Sequence, residues 1–98
     1  MIKNTEFSKD DIQNIYKTIG KNVKKIREEK GISQLQLAMA IGHKSVGVIS
    51  NCELCLQNKH FNIEQLIKIA DVLDVNIKDF FDNKIKKRKE SVWASVGH

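Results

Sequence analysis

Hydrophobic positions recur along the chain at the spacing of a helix, and the first periodic stretch lies near the N-terminus. Between Lys9 and Lys30 the apolar positions fall three or four residues apart, which is typical of a helix with one apolar face. Gly31 follows, and glycine commonly ends a helix in the left-handed conformation. The pattern predicts a first helix from Lys9 to Lys30. Its expected apolar stripe consists of Ile12, Ile15, Tyr16, Ile19, Val23 and Ile26.

The same helix-start signal appears four times in the chain. A hydroxyl or amide residue is followed three positions later by an acidic or amide residue, and an apolar pair flanks them. In such a capping box each side chain accepts a hydrogen bond from the other residue's backbone N–H, and the apolar pair fixes the path of the chain. The four pairs are Ser8 with Asp11, Ser33 with Gln36, Asn62 with Gln65 and Asn76 with Asp79.

These starts and the apolar spacing predict four further helices and an all-α fold, a compact five-helix bundle with a C-terminal extension. No stretch shows the two-residue period of a strand, and the chain lacks proline, which favours long helices. The predicted helices run from Gln34 to Ile41, from after Ser45 to Leu54, from Ile63 to Leu73 and from Ile77 to Asn83. The residues expected to point inward are Leu37, Ala38, Ile41, Ile49, Cys52, Leu66, Ile67, Ala70, Leu73, Phe80 and Phe81.

The predicted third helix has an unusual start. Ser45 is the expected N-cap, but Val48 stands at the third position, where the other four starts have an acidic or amide residue. Chance is one interpretation. The other is functional, because an acidic group here would repel phosphate and occupy backbone donors that a ligand could use.

The net charge of +5 is concentrated at the C-terminal end. Five of the 17 basic residues and one of the 12 acidic residues follow Asp82, so residues 1–83 are nearly neutral. A high isoelectric point therefore does not by itself argue for nucleic acid, and any basic surface must be local. We expect one folded domain, residues 1–83, and a basic tail, residues 84–98. The residues of the basic run are Lys84, Lys86, Lys87, Arg88 and Lys89.

Several classes of protein are disfavoured by the sequence. No apolar stretch approaches the roughly 18 residues of a membrane span, and no signal segment begins the chain, so we expect a cytoplasmic protein without membrane contact. The histidines are scattered, the carboxylates lie at helix starts or on exposed faces, and no glycine-rich phosphate loop occurs. We expect no enzymatic activity, no cofactor and no small-molecule ligand.

Residues 20–81 resemble the Xre-type helix-turn-helix family of phage repressors, Cro-like proteins and small bacterial regulators. The resemblance rests on "IGKNVKKIREEKGISQLQLAMAIG", "ISNCE" and "FNIEQLIKIADVLDVNIKDFF". It implies a lambda-repressor-like five-helix bundle from a bacterium or phage, whose third helix enters the major groove of double-stranded DNA. It also implies that Gln34 contacts the DNA backbone and that Arg27 forms an ion pair with Glu53. The groove-facing set implied is Lys44, Ser45, Val46, Gly47, Ser50 and Asn51.

The resemblance leaves two functions open. The leading hypothesis is a homodimeric repressor of transcription on a palindromic operator. Asn51 can pair with adenine and Val46 can meet a thymine methyl group, but this is a small set of base contacts. The alternative is therefore a protein-interaction module on the same fold. Leu35 and Met39, one turn apart where relatives carry polar groups, would form its partner surface unless the chain's own ends cover them.

Two further features each have more than one interpretation. The Cys-x-x-Cys pair, Cys52 and Cys55, lies near His43 and His60 in sequence and could bind zinc. A buried thiol acting as a small hydrophobe is favoured instead, so no metal is expected. The tail around Trp93 is interpreted as solvated chain, as an arm that pairs protomers or as a phosphate-contacting segment.

Overall fold

The computed structural model describes residues 6–82, which form four α-helices and two short 3-10 helices. The α-helices are α1 (Lys9–Glu29), α2 (Gln34–Ala40), α3 (Gly47–Leu54) and α4 (Ile63–Leu73). The 3-10 helices are Leu56–Asn58 and Ile77–Phe81. The all-α prediction is confirmed. The expected extension at residues 84–98, including Trp93, lies outside the described residues.

Three of the four predicted capping boxes are present. Ser8, Ser33 and Asn62 each accept a hydrogen bond from the backbone N–H three residues later, over 2.7–3.1 Å. The side chains at those third positions accept in return from the backbone N–H of the cap residue. These bonds satisfy N–H groups that a helix start leaves without partners. Local sequence chemistry therefore places the starts of α1, α2 and α4 as predicted.

The fifth helix differs from the prediction. Residues Ile77–Phe81 form a 3-10 helix, and the Asn76 side chain accepts from the Lys78 N–H rather than from Asp79. A segment this short gains almost no α-helical hydrogen bonds. The side-chain amide of Asn22 on α1 also donates to the carbonyls of Phe80 and Asp82, at 2.9 and 2.8 Å. Those two bonds hold the segment in a tighter turn against α1.

The core lies between all four α-helices and the C-terminal 3-10 helix. Two inward assignments were wrong. Ile67 is 56% exposed, and Ile69 is buried in its place, because the buried positions of α4 are three, four and seven residues from Leu66. Ile12, in the first turn of α1, is exposed. The buried hydrophobic residues are Ile19, Val23, Leu37, Ala38, Ile41, Ile49, Cys52, Phe61, Leu66, Ile69, Ala70, Leu73 and Phe80.

Gly20 allows α1 and α3 to pack backbone against backbone. A Cβ atom at this position would lie 2.5 Å from the Glu53 carbonyl oxygen and 2.7 Å from that of Cys52. No side chain fits within such distances, so glycine is required for this approach. The close contact sets the position of α3 relative to the first helix.

The loop between α3 and α4 is held against α1 by an aromatic contact. The ring of Tyr16 stacks on that of His60, with ring centroids 3.6 Å apart and an angle of 11° between the planes. The loop turns without glycine, since Cys55, Gln57 and Asn58 all have φ between 54° and 59°. Left-handed non-glycine residues are costly, and the neighbouring contacts must stabilise them.

Among the described residues, no helix combines the length and apolar character needed to cross a membrane.

Candidate nucleic-acid interface

Helices α2 and α3 form a helix-turn-helix unit whose turn is fixed by backbone hydrogen bonds. Gly42 has φ of 93°, which a residue with a side chain rarely adopts. The N–H groups of Gly42 and His43 donate to the carbonyls of Met39 and Ala38, at 3.1 and 2.8 Å. These bonds satisfy the carbonyl groups left free at the end of α2 and direct the chain into α3.

The start of α3 is one residue later than predicted. Val46 is the N-cap, its conformation is helical, and no side chain caps the helix. Ser45 lies before it, and its hydroxyl accepts from the Gly47 N–H at 3.1 Å. The serine therefore binds the first residue of the helix instead of the second or third, because Val46 already has helical backbone angles. The prediction of Ser45 as N-cap was wrong.

One face of α3 points away from the core. Ile49, Cys52 and Glu53 are buried, and the opposite side carries Gly47, Ser50, Asn51 and Leu54, at spacings of three, four and seven residues. Gly47, Ser50 and Asn51 are half-buried, whereas Leu54 is 57% exposed. Leu54 was not among the residues predicted to face the groove, although its spacing from Gly47 and Asn51 places it on the same side. Lys44, Ser45 and Val46 are exposed in the turn just before the helix.

A buried charge cluster joins α1, α2 and α3 at Glu53. Arg27 donates to the two carboxylate oxygens of Glu53, from Nε at 2.7 Å and from Nη2 at 3.2 Å. The Nη1 atom of Arg27 donates to the carbonyl of Ile32 in the α1–α2 loop, at 2.7 Å. Both charged side chains are almost fully buried. Paired arginine and carboxylate groups with this two-bond geometry are among the stronger hydrogen-bonded pairs.

Gln34 belongs to the same cluster. Its Nε2 atom donates to Glu53 Oε1 at 2.9 Å, a contact that joins the first residue of α2 to α3. The amide nitrogen has two hydrogens, so one remains for another acceptor. No local sequence signal predicts the link between Gln34 and Glu53, because nineteen residues separate them. The link positions the Gln34 amide at the start of α2, beside the backbone N–H groups of the helix.

The helix-turn-helix unit carries little charge. Residues 31–58 include two charged side chains, Lys44, which is exposed, and Glu53, which is buried against Arg27. Two further cations lie near the C-terminal turn of α3. Burial raises the pKa of both Cys52 and Cys55, and the nearby charges of Lys59 on Cys52 and of Lys17 on Cys55 oppose that rise. The unit therefore offers a nearly neutral face with cations at its two ends.

The cysteine pair lacks the features of a metal site. Burial raises the pKa of the Cys52 thiol, the neighbouring Cys55 raises it further, and burial also raises the pKa of Cys55. Zinc binds the thiolate, which these environments disfavour. Within residues 6–82, no group of three or more suitable side chains lies close enough together to hold a metal ion.

Two apolar side chains on α2 point to solvent. Leu35 is 50% exposed and Met39 is 64% exposed, and no described segment covers them. Trp93, the third residue predicted for a partner surface, lies outside the described residues.

The chain matches a known protein family. A family model described as "Helix-turn-helix" matches residues 23–80, more than half of the chain. The matched segment includes the whole of α2, α3 and α4. No curated protein matches the chain.

Proposed function

The chain belongs to the Xre-type helix-turn-helix family, whose domain binds DNA, and from this premise we propose that it is a dimeric repressor of transcription. The dimer binds a palindromic operator, and α3 of each copy enters the major groove. The two half-sites are then about one helical turn, roughly 34 Å, apart.

The observation that carries this proposal is the outward face of α3. Gly47, Ser50, Asn51 and Leu54 are uncharged, and the only carboxylate of the helix, Glu53, points inward and is bound by Arg27. An exposed carboxylate here would be repelled by the phosphates on both sides of the groove. Gly47 adds no side chain, so the backbone of α3 can approach the base edges closely.

The residues of this interface have distinct roles. Asn51 pairs with an adenine through its amide, and Val46 contacts a thymine methyl group. Ser50 donates its hydroxyl hydrogen to the Gly47 carbonyl at 3.3 Å, so the hydroxyl oxygen remains as an acceptor for a base. Ser45 precedes the helix, and its hydroxyl oxygen accepts from the Gly47 N–H at 3.1 Å.

Phosphate contacts come from the start of α2 and from the turn. Gln34 gives its second amide hydrogen to a phosphate, while its contact with Glu53 keeps the side chain in place. Lys44 supplies a positive charge in the exposed turn between α2 and α3. Such contacts set the orientation of the protein on the duplex, and the bases then determine the sequence preference.

Selection from a randomised DNA pool at two salt concentrations tests this function. We expect a palindrome to be enriched, and Asn51→Ala to weaken binding by about 1–3 kcal/mol at one base position. The matched control is Asn14→Ala on the exposed side of α1, which should leave both affinity and sequence preference unchanged.

A second function is supported by the exposed pair Leu35 and Met39. In that case the fold serves as a protein-interaction module with weak DNA binding. The same assay distinguishes the two, because nonspecific binding depends steeply on salt and enriches no sequence. A pool without an enriched palindrome, together with an unaffected Asn51→Ala variant, would rule out the repressor.

A further inference from the structure

Helix α4 exposes two large aliphatic side chains one turn apart. Ile63 is 60% exposed and Ile67 is 56% exposed, whereas Leu66, Ile69, Ala70 and Leu73 on the same helix are buried. Single exposed apolar residues are common on protein surfaces. Two β-branched residues aligned along one helix form a strip, and such a strip is typical of a packing surface.

A stripe of opposite charges runs beside this apolar strip. Glu64 and Lys68 follow Ile63 and Ile67 by one residue each, so they lie about 100° further around the helix. The two side chains form an exposed ion pair along the helix, with 3.0 Å between Lys68 Nζ and Glu64 Oε2. The acidic group is nearer the N-terminus and the basic group is one turn closer to the C-terminus.

This order of charges is self-complementary between two antiparallel helices. When a two-fold axis relates the helices, a residue before the axis on one helix faces a residue after it on the other. Glu64 of each copy then faces Lys68 of the other, and the contact occurs twice. The antiparallel arrangement also places the N-terminal end of each helix dipole near the C-terminal end of the other, which is favourable.

The exposed pair on α2 lacks this property. Leu35 and Met39 have similar exposure, but α2 contains no charged residue that would select a partner or an orientation. Of the two apolar pairs, only the one on α4 has flanking charges that complement a second copy of themselves.

We propose that two copies of the chain associate through α4, with Ile63 and Ile67 packed against the same residues of the second copy and two Glu64–Lys68 contacts beside them. The proposal rests on the dimer of the proposed function and identifies its surface. Helix α4 packs on α2 and on the C-terminal 3-10 helix. The pairing uses no residue of α3, so both α3 helices are left for DNA.

A charge-swap experiment on the full chain tests the proposal, with sedimentation as the measurement of mass. Each of Glu64→Lys and Lys68→Glu replaces two attractive contacts with two repulsive ones, so each should raise the dimer Kd by roughly tenfold or more. An equal mixture of the two variants should dimerise again. One chain then carries two lysines and the other carries two glutamates at these positions.

Matched controls distinguish an effect on the interface from an effect on folding and from a role of the C-terminal tail in pairing. Glu29→Lys and Lys25→Glu reverse exposed charges on α1 and should leave the dimer unchanged. Ile67→Asp should abolish dimerisation while the helical circular dichroism and the melting temperature stay near those of the unchanged protein, because Ile67 is exposed. Trp93→Ala should leave the dimer intact, so the mass of the assembly measured by sedimentation should remain that of a dimer.

Each contrary outcome identifies what has failed. A wild-type chain that is monomeric at every concentration, with and without operator DNA, overturns the dimer of the proposed function and this surface with it. A wild-type dimer that persists in Glu64→Lys, Lys68→Glu and Ile67→Asp overturns the α4 surface alone. Dissociation by Trp93→Ala instead of Ile67→Asp would assign the pairing to the C-terminal segment and would also overturn the α4 surface.

Discussion

At the scale of single residues, the stability of the helix-turn-helix unit depends on one buried carboxylate, that of Glu53. Glu53 receives hydrogen bonds from Arg27 and Gln34, and Arg27 also binds the Ile32 carbonyl. Within the described residues, no buried side-chain nitrogen or oxygen lacks a hydrogen-bond partner. A fully satisfied buried pair of charges adds little stability relative to apolar residues of the same size, but removing one partner leaves the other charge buried alone.

Arg27→Met should therefore lower the free energy of unfolding by roughly 3–5 kcal/mol, because Glu53 would be left without its cation. Urea denaturation followed by circular dichroism measures this change. Glu28→Gln is the control: Glu28 lies 3.8 Å from Arg27 Nη2 but its side chain is exposed, so we expect a change below about 0.5 kcal/mol. Equal effects in the two variants would contradict the role of the buried pair.

At the scale of helices, the sequence predicted what local chemistry determines. The capping residues Ser8, Ser33 and Asn62 begin their helices where expected, and the ends of α1, α2 and α4 agree within one residue. These features depend on bonds within a single turn. The sequence also predicted the turn after α2, since Gly42 ends that helix through local backbone bonds, but Ser45 is not the N-cap of α3 as predicted.

What the sequence did not predict depends on contacts between distant segments. Ile67 and Ile69 both fit a helical pattern, and only the position of the neighbouring helices decides which one is buried. The 3-10 form of the last segment depends on Asn22, about sixty residues earlier. At the candidate site, the exposure of Leu54 and the contact between Gln34 and Glu53 are tertiary features for the same reason.

The approach of α1 to α3 gives a prediction at this scale. Gly20→Ala should lower the free energy of unfolding by roughly 1–3 kcal/mol, because its Cβ would overlap the carbonyls of Cys52 and Glu53 and push α3 outward. Gly47→Ala is the matched control. A Cβ there would lie 3.4 Å from Ser45 Oγ, and alanine favours helix, so stability should stay constant or rise by up to about 1 kcal/mol. Thermal melts of both variants measure the difference, and a Gly20→Ala variant as stable as Gly47→Ala would contradict the close packing.

At the scale of the whole molecule, the described bundle has no net charge. Residues 6–82 contain eleven basic and eleven acidic side chains, and the helix-turn-helix unit contributes Lys44 as its exposed cation. Attraction to the phosphate backbone normally supplies a large part of DNA affinity. The largest excess of positive charge in the sequence is the run at residues 84–89, which lies beyond the described residues.

We therefore predict that this run supplies much of the salt dependence of DNA binding. Replacing its five basic residues with glutamine should reduce the slope of log affinity against log salt by between about one and four, according to how many of them contact phosphates. The operator sequence selected should stay the same. Lys9→Gln at the start of α1 is the control and should change the slope by less than about one. A slope unaffected by the five replacements would show that the bundle alone supplies the phosphate contacts.

The stack of Tyr16 on His60 has a practical consequence for following this molecule in solution. The chain has a single tyrosine and a single tryptophan, Trp93. Excited tyrosine transfers its energy to tryptophan over short distances, and an imidazole ring in contact with the phenol alters its emission. The natural tyrosine fluorescence of the unlabelled protein thus reports the release of the loop from the first helix.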